Sequence, residues 1–264
     1  MTAQQPIGIF DSGVGGLSVV REIQRELPHE DLLYVADSGH APYGDKPADT
    51  ITLRAQAIVG FLVAQGAKAI VVACNTATGV SVEALRARWS MPIVGIEPAI
   101  KPAVAMTKSG VVGVLATSQT ISSSRFTRLV DTFGARATVL AQPCPGLVER
   151  VEDGDLSGPD TLTMVESYLR PLLNRGADTL VLGCTHYPFV LPLIAQVAGP
   201  SVTVIDPADA VARELRRRLE QSGLLNATPQ AGTIRFWSSG PPGDLRDVIG
   251  RVGMDAAAVE SLPV

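Results

Sequence analysis

The chain has 264 residues, of which 46% are hydrophobic and 18% charged, and its formal net charge is −4. This length accommodates one large or two modest α/β domains, and the negative charge argues against a broad nucleic-acid-binding face. No apolar run is long enough to cross a membrane, and the first residues lack the basic and apolar segments of a signal peptide. Three cysteines without a Cys-x-x-Cys pair indicate a reducing cytosol, so we expect a cytoplasmic protein.

The first part of the chain alternates short apolar strands with helices. Strands are predicted at 7–10, 32–36, 69–73 and 93–95, and helices at about 17–27, 48–64 and 81–89. A glycine-rich turn follows Asp11 at the end of the first strand, and a loop rich in turn-forming residues spans 37–46. Strands that alternate with helices predict a parallel sheet with right-handed crossovers.

The second part repeats this order of elements. Strands are predicted at 111–115, 138–141, 179–182 and 202–205, and helices from about 118 to 133 and from 161 to 173. Gly8 aligns with Gly113, Cys74 with Cys184, and Glu97-Pro98-Ala99 with Asp206-Pro207-Ala208, at offsets of 105, 110 and 109 residues. Chance similarity between βαβ units is the alternative to a duplication. The repeat favours two pseudo-symmetric, doubly wound α/β domains with mainly parallel sheets.

The last segment extends beyond the repeat. A helix at 210–221, a strand at 233–237 and a helix at 245–251 are predicted there. We expect them to return to the first domain, which is then discontinuous: residues 1–97 plus 208–264, with 98–207 as the second domain. The arginines of the first of these helices indicate a solvated face rather than a nucleic-acid patch; they are Arg213, Arg216, Arg217 and Arg218.

Cys74 and Cys184 are the strongest candidates for chemistry, because each directly follows a predicted buried strand. The carboxyl ends of parallel strands are where α/β proteins bind ligands. A buried cysteine more often serves as a small hydrophobe, but amides at a following helix N-terminus and a nearby imidazole both favour a thiolate. Two such thiols could take a proton on one side of a substrate and return it on the other. Cys144 precedes Pro145. It has neither a position at a strand end nor a partner in the repeat, so we interpret it as a residue that serves packing.

Other candidates lie close to these thiols in sequence. Asp11 precedes a turn whose amides could bind a carboxylate, although glycine turns of this kind are only weakly specific. His186 is two residues beyond Cys184, and Glu152 lies in a charged run that is either solvated or part of the site. His40 and Tyr43 lie on the long loop, which is either a lid or a surface loop.

The sequence predicts no metal and no cofactor. It has no cysteine or histidine spacing of the kind that binds zinc, and none of its four lysines has an evident pocket context for a Schiff base. If the chain is an enzyme, its chemistry is expected to depend on the thiols.

Six motifs in order closely resemble the glutamate racemases of the aspartate/glutamate racemase superfamily. They are I-G-I-F-D-S-G-V-G-G-L-S, Y-V-A-D-S-G-H-A-P-Y-G-D-K, V-V-A-C-N-T-A-T, G-V-L-A-T-S-Q-T, C-P-G-L-V-E-R-V-E-D-G and L-V-L-G-C-T-H-Y-P. The resemblance implies two α/β domains with the active site in the cleft between them. It also implies interconversion of L- and D-glutamate without cofactor or metal, supplying D-glutamate to peptidoglycan.

The resemblance assigns roles to individual residues. Cys74 would deprotonate D-glutamate and Cys184 would deprotonate L-glutamate, with Asp11, His186 and Glu152 assisting. The amino acid would be held by residues that follow strand ends or lie on the long loop, namely Asp11, Ser12, Tyr43, Gly44, Asn75, Thr76, Thr185 and His186.

Two alternatives stay open at this point. An aspartate racemase also uses two thiols, but such enzymes typically have Thr-Glu after the second cysteine, where this chain has Thr185-His186. A second, non-catalytic role such as binding to DNA gyrase is reported for some family members, and no feature of this sequence supports it. As partners we expect glutamate and a second copy of the chain in a homodimer, with no direct nucleic-acid or membrane binding.

Overall fold

The computed structural model describes residues 1–255 and 258–264, which form two compact units. Unit 1 comprises Met1–Ile96 and Ala208–Val264, and unit 2 comprises Glu97–Pro207. In chain order the strands are β1 (Ile7–Asp11), β2 (Leu32–Ala36), β3 (Ala69–Val72), β4 (Ile93–Gly95), β5 (Val111–Ala116), β6 (Thr138–Pro143), β7 (Thr179–Gly183), β8 (Thr203–Ile205), β9 (Ile234–Ser238) and β10 (Val259–Ser261).

The helices connect these strands in the alternating order that the sequence predicts. They are α1 (Leu17–Glu26), α2 (Ala48–Ala64), α3 (Asn75–Arg88), α4 (Ile100–Met106), α5 (Ser118–Ser122), α6 (Ser124–Phe133), α7 (Leu147–Glu152), α8 (Pro159–Asn174), α9 (Leu191–Ala198), α10 (Ala208–Gln221) and α11 (Pro242–Arg251). Short 3₁₀ turns at Ser38–His40, Tyr43–Asp45, Gly134–Arg136 and Tyr187–Val190 occupy some of the loops.

Unit 1 is built on a parallel sheet in the order β10-β9-β2-β1-β3-β4. Strands β1, β2 and β3 are wholly buried, as continuous apolar runs in parallel sheets usually are. One face carries a core in which Phe10 packs with Ile58 of α2 and Leu85 of α3. Elsewhere in the unit, α1 packs on α10.

Unit 2 is built on a shorter parallel sheet in the order β6-β5-β7-β8. This order matches β2-β1-β3-β4 of unit 1, so β5 is equivalent to β1 and β7 to β3. Both sheets confirm the predicted α/β class with mainly parallel strands.

The equivalent glycines of the two central strands show why the repeat retains them. A Cβ at Gly8 would lie 2.9 Å from Ile70 Cδ1 and 3.1 Å from Leu62 Cβ. A Cβ at Gly113 would lie 2.8 Å from a methyl group of Leu172 and 2.8 Å from one of Leu180. Because real Cβ atoms do not approach so closely, glycine lets a helix pack directly on the middle of each sheet.

Several boundaries differ from the prediction. Helix α3 begins at Asn75 rather than near residue 81, because Cys74 caps it: the Cys74 sulfur accepts a hydrogen bond from Ala77 N at 3.4 Å. The predicted helix over 118–133 is broken at Ser123, whose side chain caps α6. Helices α4, α7 and α9 and the strand β10 were not predicted.

The interpretation of Cys144 also needs correction. Strand β6 extends to Pro143, so Cys144 directly follows a strand end. Its amide donates to Ala116 O of β5 at 3.1 Å, as the amide of Asp37 donates to Asp11 O of β1 at 2.9 Å. Asp37 is therefore the equivalent of Cys144 in unit 1.

The arginines of α10 pair with carboxylates on the same helix. Arg213 binds Asp209, Arg216 binds Glu220, and Arg217 and Arg218 both bind Glu214. These i, i+3 and i, i+4 pairs agree with the predicted solvated face. Among the described residues, no helix has the length and apolar character needed to cross a bilayer.

Candidate active site

The Cys74 site consists of Cys74, Ser12, Asp11 and Asn75, all at the carboxyl ends of β1 and β3. The Cys74 thiol donates to Ser12 Oγ at 3.6 Å, and Ser12 Oγ donates to Asp11 Oδ1 at 3.0 Å. Ser12 N also donates to Asp11 Oδ1, at 2.5 Å. The three side chains are buried, so they form a directed chain of hydrogen bonds from the thiol to a carboxylate.

The glycine turn after β1 lets Asp11 occupy this position. A Cβ at Gly16 would lie 2.7 Å from the Asp11 Cβ and 2.9 Å from the Tyr34 hydroxyl. Tyr34 itself donates to Gly13 O at 2.7 Å and so holds the turn. Any larger residue at position 16 would displace the carboxylate.

Asn75 has a buried side chain whose polar atoms are unpaired within the described part of the chain. The residue is 4% exposed, and neither its amide oxygen nor its amide nitrogen has a hydrogen-bond partner among the described residues. A buried amide left unpaired costs about 1–3 kcal/mol. Thr76 is buried beside it at the start of α3. The unpaired amide of Asn75 is therefore a candidate ligand-binding group.

The long loop of unit 1 is held by a buried carboxylate that the sequence pattern did not single out. Asp37 accepts hydrogen bonds from Tyr43 Oη at 2.6 Å, from Arg54 at 3.0 and 2.7 Å, and from His40 Nδ1 at 3.0 Å. Burial raises the pKa of Asp37, but these hydrogen bonds outweigh it and lower the pKa below its ordinary value. The available signal was its position directly after a strand end.

Tyr43 is committed to this cluster. Its side chain is 1% exposed, and burial together with the charges of Asp37 and Cys74 raises the pKa of its hydroxyl far above the ordinary range. The hydroxyl therefore stays protonated and donates to Asp37. Any contribution of Tyr43 and Gly44 to substrate binding would have to come from their backbone.

The Cys184 site consists of Cys184, His186, Glu152 and Thr185 in unit 2. Cys184 follows β7, and its sulfur lies 3.7 Å from His186 Nδ1. His186 Nε2 lies 2.6 Å from Glu152 Oε1, at the last residue of α7. Thr185 is also buried. The three ionisable side chains form a thiol–imidazole–carboxylate series.

Electrostatics favours a charged imidazole in this series. Burial lowers the pKa of His186, but the hydrogen bonds and negative charges of Cys184 and Glu152 outweigh it and raise the pKa well above its ordinary value. A protonated His186 donates from both ring nitrogens, which stabilises a thiolate at Cys184. His186 is thus a charged donor to Cys184, whereas Ser12 accepts the hydrogen of the Cys74 thiol.

Three more buried polar side chains surround Cys184. Thr117 follows β5, whose Ala116 pairs with Gly183 of β7, so Thr117 and Cys184 follow neighbouring strand ends. The side chains of Cys144 and Tyr187 are also buried, and both interact electrostatically with Cys184. Burial raises the pKa of Cys144 to about 12, so this thiol stays protonated.

All three cysteines are free thiols. Among the described residues, no group of three or more histidine, cysteine and acidic side chains is arranged to hold a metal ion.

Comparison with known proteins gives a consistent result. The model of the Asp/Glu/Hydantoin racemase family matches residues 7–215. A glutamate racemase of Methylococcus capsulatus is 59% identical over 90% of this chain and 88% of its own length. The crystal structure of the glutamate racemase isoform RacE1 from Bacillus anthracis has a TM-score of 0.92 and 33% identity, covering 99% of this chain and 98% of that one.

A third relative was crystallised with ligands. Escherichia coli glutamate racemase, in complex with L-glutamate and the activator UDP-MurNAc-ala, has a TM-score of 0.85 and 34% identity, covering 98% of each chain. With a family model that spans most of its length and a relative 59% identical, the chain belongs to the Asp/Glu/hydantoin racemase family, among its glutamate racemases.

Proposed function

We propose that this protein interconverts L- and D-glutamate with two thiols, without cofactor or metal: one removes the α-proton and the other delivers a proton to the opposite face of the α-carbon. The observation that carries the proposal is that each thiol has its own hydrogen-bonded partners: Ser12 and Asp11 for Cys74, and His186 and Glu152 for Cys184. We further propose that units 1 and 2 are the two domains expected from the repeat, each supplying one base.

In the direction from L- to D-glutamate, the Cys184 thiolate removes the α-proton and becomes a thiol. The Cys74 thiol then delivers its proton to the opposite face of the α-carbon and becomes a thiolate. Charge and protons balance, because the two sulfurs exchange protonation states. The enzyme left behind is ready for D-glutamate, so the sulfurs must exchange a proton with solvent before the next L-glutamate reacts.

A thiolate is a weak base for a carbon acid, so the site must stabilise the negative charge that develops at the α-carbon. Preorganised donors aimed at the carboxylate are usually the largest contribution to such stabilisation. The unpaired amide of Asn75 is the donor that unit 1 offers, with Ser12 and Thr76 beside it. In unit 2, Thr185 and His186 occupy the corresponding positions. These roles are proposals that site-directed variants can test.

Membership of the glutamate racemases also supports a cellular role. D-glutamate made by this reaction would supply peptidoglycan synthesis, and we propose a cytoplasmic location, consistent with three free thiols. A homodimer is proposed from the same kinship, and sizing with and without glutamate would test it.

The reaction can be tested directly. The protein is incubated with L-glutamate in D₂O without added cofactor, and α-deuterium and D-glutamate are measured by mass spectrometry and chiral chromatography. We expect deuterated D-glutamate from the wild type and loss of racemisation in both Cys74→Ser and Cys184→Ser.

The third cysteine supplies the control, since Cys144→Ala removes a thiol of the same unit as Cys184 and is expected to keep racemising. Folded wild-type protein that exchanges neither enantiomer would overturn the proposed function. Full turnover by either serine variant would overturn the two-thiol assignment.

A further inference from the structure

Helix α7 carries Glu152 as its last residue, and it is too short to hold that residue by itself. It spans only six residues, whereas isolated helices below about 12–15 residues are marginal in water. Three of its apolar side chains are buried, which fixes one face of the helix. The contact of 2.6 Å between Glu152 Oε1 and His186 Nε2 also requires the end of the helix to be held in place.

The end of α7 is closed by a Schellman motif. Gly154 adopts the left-handed conformation, with a φ of 78°, and its amide donates to Val151 O at 3.0 Å. The amide of Asp155 donates to Arg150 O at 2.9 Å. Glycine adopts this conformation without strain, and the two bonds satisfy carbonyls that the helix leaves unpaired. Asp155 is therefore fixed relative to Glu152, three positions before it.

The Asp155 carboxylate joins this end of α7 to the start of α8. Its Oδ2 accepts a hydrogen bond from Thr161 Oγ1 at 2.7 Å, and its Oδ1 accepts one from Gly158 N at 2.8 Å. Thr161 is fully buried, and a Cβ at Gly158 would collide with Asp155 Oδ1, so glycine lets the turn approach the carboxylate. The bond from Thr161, followed by that from Gly158, lowers the pKa of Asp155 below its ordinary value, so the carboxylate is ionised at neutral pH.

We infer that Asp155 is a positioning residue for the Cys184 site: by fastening the end of α7 to α8, it holds the Glu152 carboxylate against His186. Asp155 acts on the thiol through these two side chains, since Glu152 contacts one nitrogen of the His186 ring and the Cys184 sulfur lies 3.7 Å from the other. The inference rests on the proposed function, in which Glu152 and His186 assist Cys184.

Other contacts around α7 act at different places or contribute less. Tyr168 donates its hydroxyl hydrogen to Pro145 O at 2.5 Å, which holds the chain just before the helix rather than its end. Arg150 lies 3.4 Å from Asp155 and 3.8 Å from Asp160, but all three side chains are at least partly exposed. Ion pairs of this kind contribute little. The position of the helix end therefore depends mainly on the hydrogen bonds that Asp155 accepts.

The protonation of His186 reports whether Glu152 is in place. Burial lowers the pKa of His186, but its hydrogen bonds with Cys184 and Glu152 and their negative charges raise it well above its ordinary value. With Cys184 replaced by serine, the charge of Glu152 is the one of these two that remains. The chain has three histidines, so their imidazole resonances in NMR spectra can be assigned singly, with His29 and His40 of unit 1 as internal references.

The test is a pH titration of His186 by NMR in the Cys184→Ser background. We expect Asp155→Ala to lower the titration midpoint of His186 by about one pH unit, because a hydrogen bond between charged partners is weakened. The midpoints of the two histidines of unit 1 should stay in place, which distinguishes a displaced Glu152 from a general loss of structure.

The isosteric variant Thr161→Val covers the case in which Asp155→Ala does not fold. It removes the hydroxyl that donates to Asp155 and should lower the midpoint as well, whereas Thr161→Ser keeps a hydroxyl and should leave the midpoint near its starting value. Thr163→Val is the matched control, because the Thr163 hydroxyl lies on the same helix but donates to Pro159 O at 2.9 Å. This control should leave the midpoint in place.

A midpoint that does not move in folded Asp155→Ala or Thr161→Val protein would overturn the inference. So would an equal effect of Thr161→Val in a Glu152→Gln background, since Asp155 would then not act through Glu152. The proposed function fails separately, if folded wild-type protein does not racemise glutamate, because the titration requires no turnover.

Discussion

Two positions that the repeat makes equivalent, Asp37 in unit 1 and Cys144 in unit 2, differ in a way that separates the two thiol environments. Each directly follows the strand beside the central strand of its sheet, and each donates its amide to the end of that central strand. Asp37 is a charged acceptor that holds Tyr43 and Arg54, whereas Cys144 is a neutral thiol beside Tyr187.

This difference extends to the surroundings of the two thiols. In unit 1 the buried charge of Asp37 is neutralised by Arg54. The Cys74 sulfur is bound by the N-terminus of α3 and by Ser12. In unit 2 the buried charge is placed on His186, directly beside Cys184. The same fold therefore places one thiol against backbone amides and a hydroxyl and the other against an imidazolium. Variants that alter one environment at a time can separate the two.

The largest effect is expected from His186→Asn, which removes the charge from the Cys184 site. General acid–base partners contribute about 10²–10⁴-fold, so kcat/KM should fall by roughly 10²–10³-fold. The fall must be equal in both directions, because two enantiomers have equal free energy. The two directions should differ instead in the primary kinetic isotope effect, which should rise more with α-deuterated L-glutamate than with α-deuterated D-glutamate.

The control for this variant is His29→Asn, whose ring contacts Gln230 O in unit 1. Equal isotope effects with both enantiomers would contradict the assignment of His186 to Cys184.

The free energy of unfolding should also change with pH in a way that depends on His186. Because the folded state raises the pKa of His186, its contribution is present below the ordinary pKa of about 6.5 and is lost as pH rises through the raised value. The His186→Asn variant should not show this loss of stability as pH rises.

Much of this arrangement could be predicted from the sequence, because its signals are local. Buried strands end where polar residues begin, so the pattern of apolar and polar residues alone places Cys74 and Cys184 at strand ends. The start of α3 could not be predicted, since Thr76, Thr78 and Gly79 are weak helix formers and the helix depends on a thiol cap.

The missed contacts depend on partners far away in sequence. Asp37 is notable only once Arg54, which is 17 positions later, folds back on it. Tyr187 is notable only because the end of β6 brings Cys144 into its surroundings. Neither pairing has a local pattern that periodicity could detect.

A smaller effect is expected from Asp37→Asn, which makes unit 1 resemble unit 2 by replacing the charged acceptor with a neutral one. Breaking a buried ion pair costs about 3–5 kcal/mol, and the partial exposure of Arg54 reduces this to about 2–3 kcal/mol. Since the folded state lowers the pKa of Asp37, the wild-type advantage is present above the ordinary pKa of about 3.9 and is lost as pH falls through the lowered value.

Urea unfolding at pH 7 and pH 3 measures this difference. We expect the free energies of unfolding of wild type and Asp37→Asn to differ widely at pH 7 and less at pH 3. The matched variant Asp155→Asn removes a partly exposed carboxylate of unit 2 whose pKa is also lowered, chiefly by the hydrogen bond from Thr161, and should cost less. An equal difference in the free energy of unfolding at both pH values would show that the charge of Asp37 does not hold the long loop of unit 1.

The smallest effect is expected from Ser12→Ala, which breaks the hydrogen-bond chain from Cys74 to Asp11. Loss of one such bond is worth about 1 kcal/mol, so kcat/KM should fall about fivefold in both directions. Here the isotope effect should rise more with α-deuterated D-glutamate, the reverse of His186→Asn, because Cys74 is the proposed base for that enantiomer. Ser18→Ala removes a buried hydroxyl at the start of α1 that donates to Gly15 O, and should change neither quantity. If Ser12→Ala and His186→Asn shifted the same isotope effect, the two environments would not serve separate bases, however different they look.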